Sequence, residues 1–217
     1  MAIHSDWLET INVALSRLGQ RPLAASDLTS PTGKIAVLVD GSLQFHLDAL
    51  VDDHPWHFLI KRSEITKEST NPTWGPDFQY IIPSDCIRVL EINGTQVWNW
   101  NPTPGWIKGD AFPMWKTEWG STRRVIVTDV TSPLQVRYLA KLDATAASTL
   151  GLATPLFKEL LTFWLASQWA ETITASDSLD QKVDLRFRAL LSEARSLASQ
   201  EGIPDPLQTK VWENSRL

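Results

Sequence analysis

Cysteine is almost absent from this chain of 217 residues: Cys86 stands alone. A lone cysteine excludes an internal disulfide framework and a multi-cysteine zinc site, and it suits a protein made in a reducing compartment. Positive charge is the minority sign, with 20 Lys and Arg against 25 Asp and Glu. The resulting net charge of −5 offers phosphate no general attraction, so avid, sequence-independent DNA binding is not expected. Long apolar runs are missing too. The most apolar stretch, Leu160 to Ala170, is closed by Glu159 and Glu171. It falls well short of the ~20 residues that span a bilayer, so it reads as a buried helix and no membrane partner is expected. The first residues lack a basic start and an apolar h-region, since Asp6 and Glu9 interrupt them, and export is not indicated. No GxSxG, Walker A, GxGxxG or HExxH pattern occurs, and no paired-carboxylate signature or internal repeat. The sequence nominates no catalytic residue, no metal set and no cofactor, and an enzyme is not expected.

What the chain does contain is helical periodicity at both ends. From Ser5 to Leu18, the residues Trp7, Leu8, Ile11, Ala14, Leu15 and Leu18 recur at steps of three and four, which lines one helical face. Gly19 is the natural stop, and Ser5 or Asp6 the cap, with Asp6 and Glu9 forming an acidic variant of the capping box. A linker follows, then Ser30 and Pro31 supply an N-cap and a first-turn proline for a second helix toward Val51. Ile35, Leu38, Ser42, Phe45 and Ala49 share one face of it, with Val39, Leu43, Leu47 and Leu50 alongside. Thr154-Pro155 repeats the cap-and-proline signal for a third helix. Leu160, Phe163, Trp164 and Trp169 leave little of its circumference polar, so it packs on several sides. Ser178 with Gln181 opens a fourth helix whose stripe of Leu179, Val183, Phe187, Leu190, Ala194 and Leu197 runs to about Gln200. Gly202 ends it, and Pro204 and Pro206 hold the tail beyond it extended.

Between the helical pairs the period changes to short β-branched and aromatic runs: 58–60, 78–82, 87–92, 97–100, 124–127 and 134–139. Asn71-Pro72, Asn93-Gly94, Pro104-Gly105 and Ser132-Pro133 are turn signals between them. The whole order predicts an α+β protein. A discontinuous four-helix bundle-like domain takes residues 1–57 and 148–201, a small antiparallel β domain is inserted at 58–147, and an extended C-terminal arm occupies 202–217.

Three places draw attention as candidate sites. The stretch Asp52-Asp53-His54-Pro55-Trp56-His57-Phe58 gathers carboxylates, imidazoles and aromatic rings. His54 and His57 could share a metal only in a helix, and Pro55 disfavours helical backbone at His54. Asp52, Asp53 and His46 could add ligands, but without ordered spacing, so the favoured reading is a structural corner. In it the second helix ends at His54 and Pro55, while Trp56 and Phe58 plug the junction. Cys86, after Pro83-Ser84-Asp85, has no base or anion hole near it in sequence and reads as a small apolar residue. The segment with Trp98, Trp100 and Trp106, followed by Trp115 and Trp119, supports two readings: indoles presented to sugars or a partner protein, or indoles covering the inner face of a thin sheet. The tail, with Leu207, Val211 and Trp212, is either a docking arm or a loose terminus.

Several short motifs together resemble a known family. They are Ile11-Asn12-Val13-Ala14-Leu15-Ser16-Arg17-Leu18-Gly19, His54-Pro55-Trp56-His57-Phe58, the run from Tyr80 to Leu90, Val136-Arg137-Tyr138, and the Ala-, Leu- and Trp-rich third helix. In this order they are similar to the tail tubular protein A adaptors of T7-like podophages, over roughly residues 7 to 198. That resemblance implies a helical bundle with an inserted β domain, without catalytic residues. It implies a homo-oligomeric ring, a dodecamer, in the virion between the portal protein and the tail nozzle protein, after synthesis in the host cytoplasm. DNA would pass through its lumen without sequence-specific binding, and the acidic balance suits such a conduit. The alternative from another class is an aromatic-rich glycan-binding module of a tail or surface protein. A third, metal-dependent hydrolysis through His54 and His57, requires a stoichiometric metal.

Overall fold

Two hydrophobic clusters organise the chain, one under the helices and one drawn from two β-sheets. The computed structural model describes residues 3–93, 95–96, 115–120, 123–146, 149–174 and 177–201. The expectations for Trp98, Trp100 and Trp106, and for the arm with Leu207, Val211 and Trp212, lie outside the described residues.

A 3-10 turn, Ser5–Trp7, leads into α1, Leu8–Arg17. The first cap is His4 rather than Ser5 or Asp6: its Nδ1 accepts the Asp6 amide at 3.3 Å. The stop falls at Gly19, with φ at 69°. Gln20 donates to the Leu15 carbonyl and Gly19 to the Ser16 carbonyl, both at 3.0 Å, which closes a Schellman motif. Asn12 then clamps the linker, accepting from the Leu23 amide at 2.8 Å and donating to its carbonyl at 3.0 Å. Within that linker a short α2, Ala25–Thr29, forms where none was foreseen, because the Asp27 carboxylate accepts the Ala24 amide at 2.8 Å and Leu28 is buried.

The second long helix, α3, spans Lys34–Asp53 and is capped by Gly33, so Ser30 and Pro31 precede it rather than open it. Its buried face is Ala36, Val39, Leu43, Leu47, Leu50 and Val51, while Phe45 is 73% exposed. Two adjacent apolar stripes fit the helical period here, and the one read from sequence as flanking is the one that packs inward.

Helix α4, Pro155–Thr174, begins as expected, the Thr154 hydroxyl accepting the Phe157 amide at 3.2 Å. It touches α1, α3 and α5. Phe157, Leu160, Leu161, Leu165, Ala166 and Trp169 are buried along it, and the Trp169 indole donates to Ser42 Oγ at 3.0 Å. Phe163 and Trp164 are only half-buried. The Arg17 guanidinium covers the Phe163 ring at 3.6 Å, and the Trp164 indole donates to the His46 carbonyl at 2.8 Å beside Phe187. The last helix, α5, Asp177–Glu201, already contains Ser178 in its first turn, so that residue does not cap it. Val183, Phe187, Leu190, Ala194 and Ala198 face inward, and Leu197 is pushed to the rim because Ala198 lies a full helical step beyond Ala194.

The β-strands are β1 Ile60–Ile65, β2 Phe78–Ile81, β3 Cys86–Ile92, β4 Thr95–Gln96, β5 Trp115–Trp119, β6 Arg124–Thr128 and β7 Leu134–Ala140. They form two antiparallel sheets, ordered β1-β7-β3-β4 and β2-β6-β5, so the architecture is α+β. The run at 58–60 is mostly a 3-10 turn, His57–Leu59, and the strand continues through the polar Lys61 to Glu64, where composition gave no strand signal. Strand β5 was likewise not marked by alternation. Strand β7 is the shared element. Leu134, Val136, Tyr138 and Ala140 on one side of it join Tyr80, Val89 and Ile126, whereas Leu139 on the other side joins the helical cluster.

Candidate functional site: the junction of helices and sheets

Helix α3 stops at Asp53 because His54, ahead of Pro55, takes extended backbone at φ −148° and ψ 140°. The chain turns back at once, the Trp56 amide donating to the His54 carbonyl at 2.9 Å. This folds the Trp56 indole under the last turn of α3, where it is 2% exposed and Nε1–H donates to the Leu50 carbonyl at 3.3 Å. That carbonyl belongs to the group a helix end leaves without an intrahelical partner, so the indole satisfies it. Trp56 and Phe58 both meet the Phe157 ring edge-to-face at 4.8 Å, and His54 meets Trp56 at the same separation. Phe157 lies in the first turn of α4, so three aromatic rings join the end of α3, the start of α4 and the entry to β1.

The two imidazoles of this stretch do different things. His54 is held below its ordinary range by burial first, then by the Arg195 charge, against the pull of Asp53, with His57 and Arg88 adding to the depression. Asp53 pairs with Arg195 of α5, tying the two helices beside the corner. His57 lies one turn on, at the base of β1. His46 sits mid-helix in α3 with Nδ1 buried and unpartnered, and burial lowers its pKa too. Among the described residues, no three His, Cys, Asp or Glu side chains come together as a set that could hold a metal ion.

On the sheet side, the Pro83-Ser84-Asp85 turn is tied down by its carboxylate. Asp85 accepts from Lys61 Nζ at 2.7 Å and from the Tyr138 hydroxyl at 3.1 Å, while its carbonyl accepts the Lys141 amide at 2.7 Å. Burial raises the Asp85 pKa, but the hydrogen bond and charge of Lys61 and the Tyr138 hydroxyl outweigh it, and the net shift is downward. Tyr138 is pushed up to about 12 by its own burial and by that neighbouring carboxylate. Burial also pushes the Cys86 thiol up to about 11, so it stays protonated near neutrality and is a poor nucleophile. These groups hold β1, β3 and β7 together.

Exposed aromatics are the other feature. Trp119, at the end of β5, is 75% exposed, whereas Trp115 on the same strand packs against the sheet cluster. Trp74, in the loop before β2, is 82% exposed, and Phe45 on α3 projects away from its buried face. Sequence reasoning missed Trp74, which has no patterned neighbours, and misplaced Phe45 for the reason given above. No helix among the described residues is long and apolar enough to cross a membrane. Comparisons of the chain with models of protein families and with curated proteins find no match.

Proposed function

We propose that this chain is a structural head-to-tail adaptor of a tailed phage, a ring-forming protein seated between portal and tail nozzle through which the genome passes. In this reading α1, α3, α4 and α5 form the discontinuous bundle-like domain of residues 1–57 and 148–201, with 58–147 as the inserted β domain and 202–217 as an arm. The observation that carries it is the ordered series of short motifs that resemble those of tail tubular adaptors, and their residues have structural duties here. Asn12 and Gly19 close α1 and its linker. His54 to Phe58 turn the chain from helix to sheet. Asp85 and Tyr138 bond to each other between β3 and β7.

A ring needs two different sides that are complementary to one another, since heterologous contacts close only after a fixed rotation. Outward apolar side chains on separate helices, Phe45 on α3 and Leu185 on α5, supply candidate material for two such sides. The chain would form a dodecamer, located at the head–tail junction of the virion, and would meet DNA only as a lumen wall. Electron microscopy of the purified protein, alone and mixed with its portal, tests the reading. Rings in either sample support it; a monomer at every concentration with no ring on the portal refutes it.

A glycan-binding module is the second reading, favoured by the exposure of Trp74 and Trp119 on the β part. Glycan-array binding that is lost in Trp119→Ala, or in Trp98→Ala with Trp100→Ala, without a change in assembly would move the assignment there.

A further inference from the structure

Strands β1 and β7 set two arginines directly opposite each other, Arg62 against Arg137. Like charges at such a position destabilise a sheet unless something compensates them. Glu91, the partner of Arg137 on β3, compensates one, accepting from its guanidinium at 3.1 Å. Arg62 is exposed and has no carboxylate partner among the described residues. With His57 and Ile60 the two arginines line an open depression of about 410 Å³ at the foot of β1, beside the aromatic corner.

We infer that this depression is a phosphate-binding site. Basic groups extend from its edge, since His54 responds to the charges of His57, Arg88 and Arg195. The junction thus collects the guanidinium groups of Arg62, Arg88, Arg137 and Arg195, with the His57 imidazole, against the carboxylates of Asp53, Glu64 and Glu91, on a chain whose net charge is −5. This gathering of guanidinium groups runs against the acidic balance of the composition. The geometry favours phosphate over carboxylate. One guanidinium fork suffices for a planar carboxylate, whereas a tetrahedral phosphate has oxygens enough to accept from Arg62, from the Arg137 nitrogens that its single bond to Glu91 leaves over, and from an imidazole together. One such contact gives weak binding that a bulk negative charge does not cancel at close range, because screening confines the distant charges. The inference does not depend on ring formation.

The test titrates the full chain with inorganic phosphate, with a short DNA duplex and with hexaglutamate, following the His57 ring proton by NMR. The chain has four histidines, so His57→Asn assigns the signal. We expect a saturable shift with phosphate and with duplex, weakened about tenfold or more in Arg62→Gln, the loss of a charge-assisted bond. Arg186→Gln, at the Phe163 and Glu159 side of the helices, should bind as the parent does. Because Arg62 is exposed, its variant should keep the parent far-UV circular dichroism. Tighter binding of duplex than of free phosphate at equal phosphate concentration, falling steeply with salt, identifies a nucleic-acid backbone as the source. Equal binding per phosphate identifies the free anion, and both outcomes support the site. No saturable shift, an unaltered response in Arg62→Gln, or preference for hexaglutamate would overturn it.

Discussion

Replacing Trp56 by alanine probes the corner most directly, because that one side chain joins α3, α4 and the entry to β1. Its indole is 2% exposed. A buried indole removes ~200 Å² from water, which at ~25 cal/mol/Å² comes to about 5 kcal/mol. Alanine retains part of that contact and the cavity partly collapses, so the expected loss is ~3–5 kcal/mol, as for other buried tryptophans. Trp56→Phe separates the contributions. Phenylalanine keeps a ring against Phe157 but leaves the Leu50 carbonyl without its indole donor, for a cost of ~1–3 kcal/mol. A double-mutant cycle with Phe157→Leu should return a coupling of about 0.5–1.5 kcal/mol. Urea unfolding should be followed by far-UV circular dichroism, since eleven tryptophans make fluorescence a composite signal. A shift of midpoint at constant slope reports stability. A loss below about 1 kcal/mol for Trp56→Ala would mean the ring is not a plug, and the corner reasoning would fail.

Three other expectations use the same assay or a simple variant of it. Trp169→Ala should cost ~3–5 kcal/mol and Trp164→Ala clearly less, because only Trp169 is fully buried; equal losses would contradict the packing of α4. His54 and His46 both have pKa values lowered from 6.5, so the folded state takes up these protons less readily than the unfolded state. Their contribution is complete above pH 6.5 and is lost as pH falls through the folded values. The urea midpoint should therefore drop between about pH 7 and pH 5, less steeply in His46→Gln/His54→Gln, and a parallel profile in that variant would rule these two groups out. Deleting residues 203–217 should leave protomer stability nearly unchanged and weaken ring closure or portal attachment. A truncated protein that assembles with unchanged affinity and yields infectious particles would remove any role for the arm.

How much was legible in the sequence depends on how local the deciding physics is. The stop at Gly19, the start of α4 at Thr154-Pro155 and the break at His54-Pro55 are properties of a few adjacent residues, and they stand in the structure where sequence placed them. The corner rings could be named for the same reason, since Pro55 forces the turn that puts Trp56 under α3. Where two answers were locally equal, tertiary contact chose between them. Helix α3 has two apolar stripes, and packing against α4 buried Val39, Leu43 and Leu47 and left Phe45 outside. Alternation in β7 predicted a strand, but only the sheet order made it a layer serving both clusters. Arg62 and Arg137 are 75 positions apart, and nothing in either neighbourhood marks them as a pair. Their juxtaposition exists only because β1 and β7 align in one register, and a register is a property of two strands together.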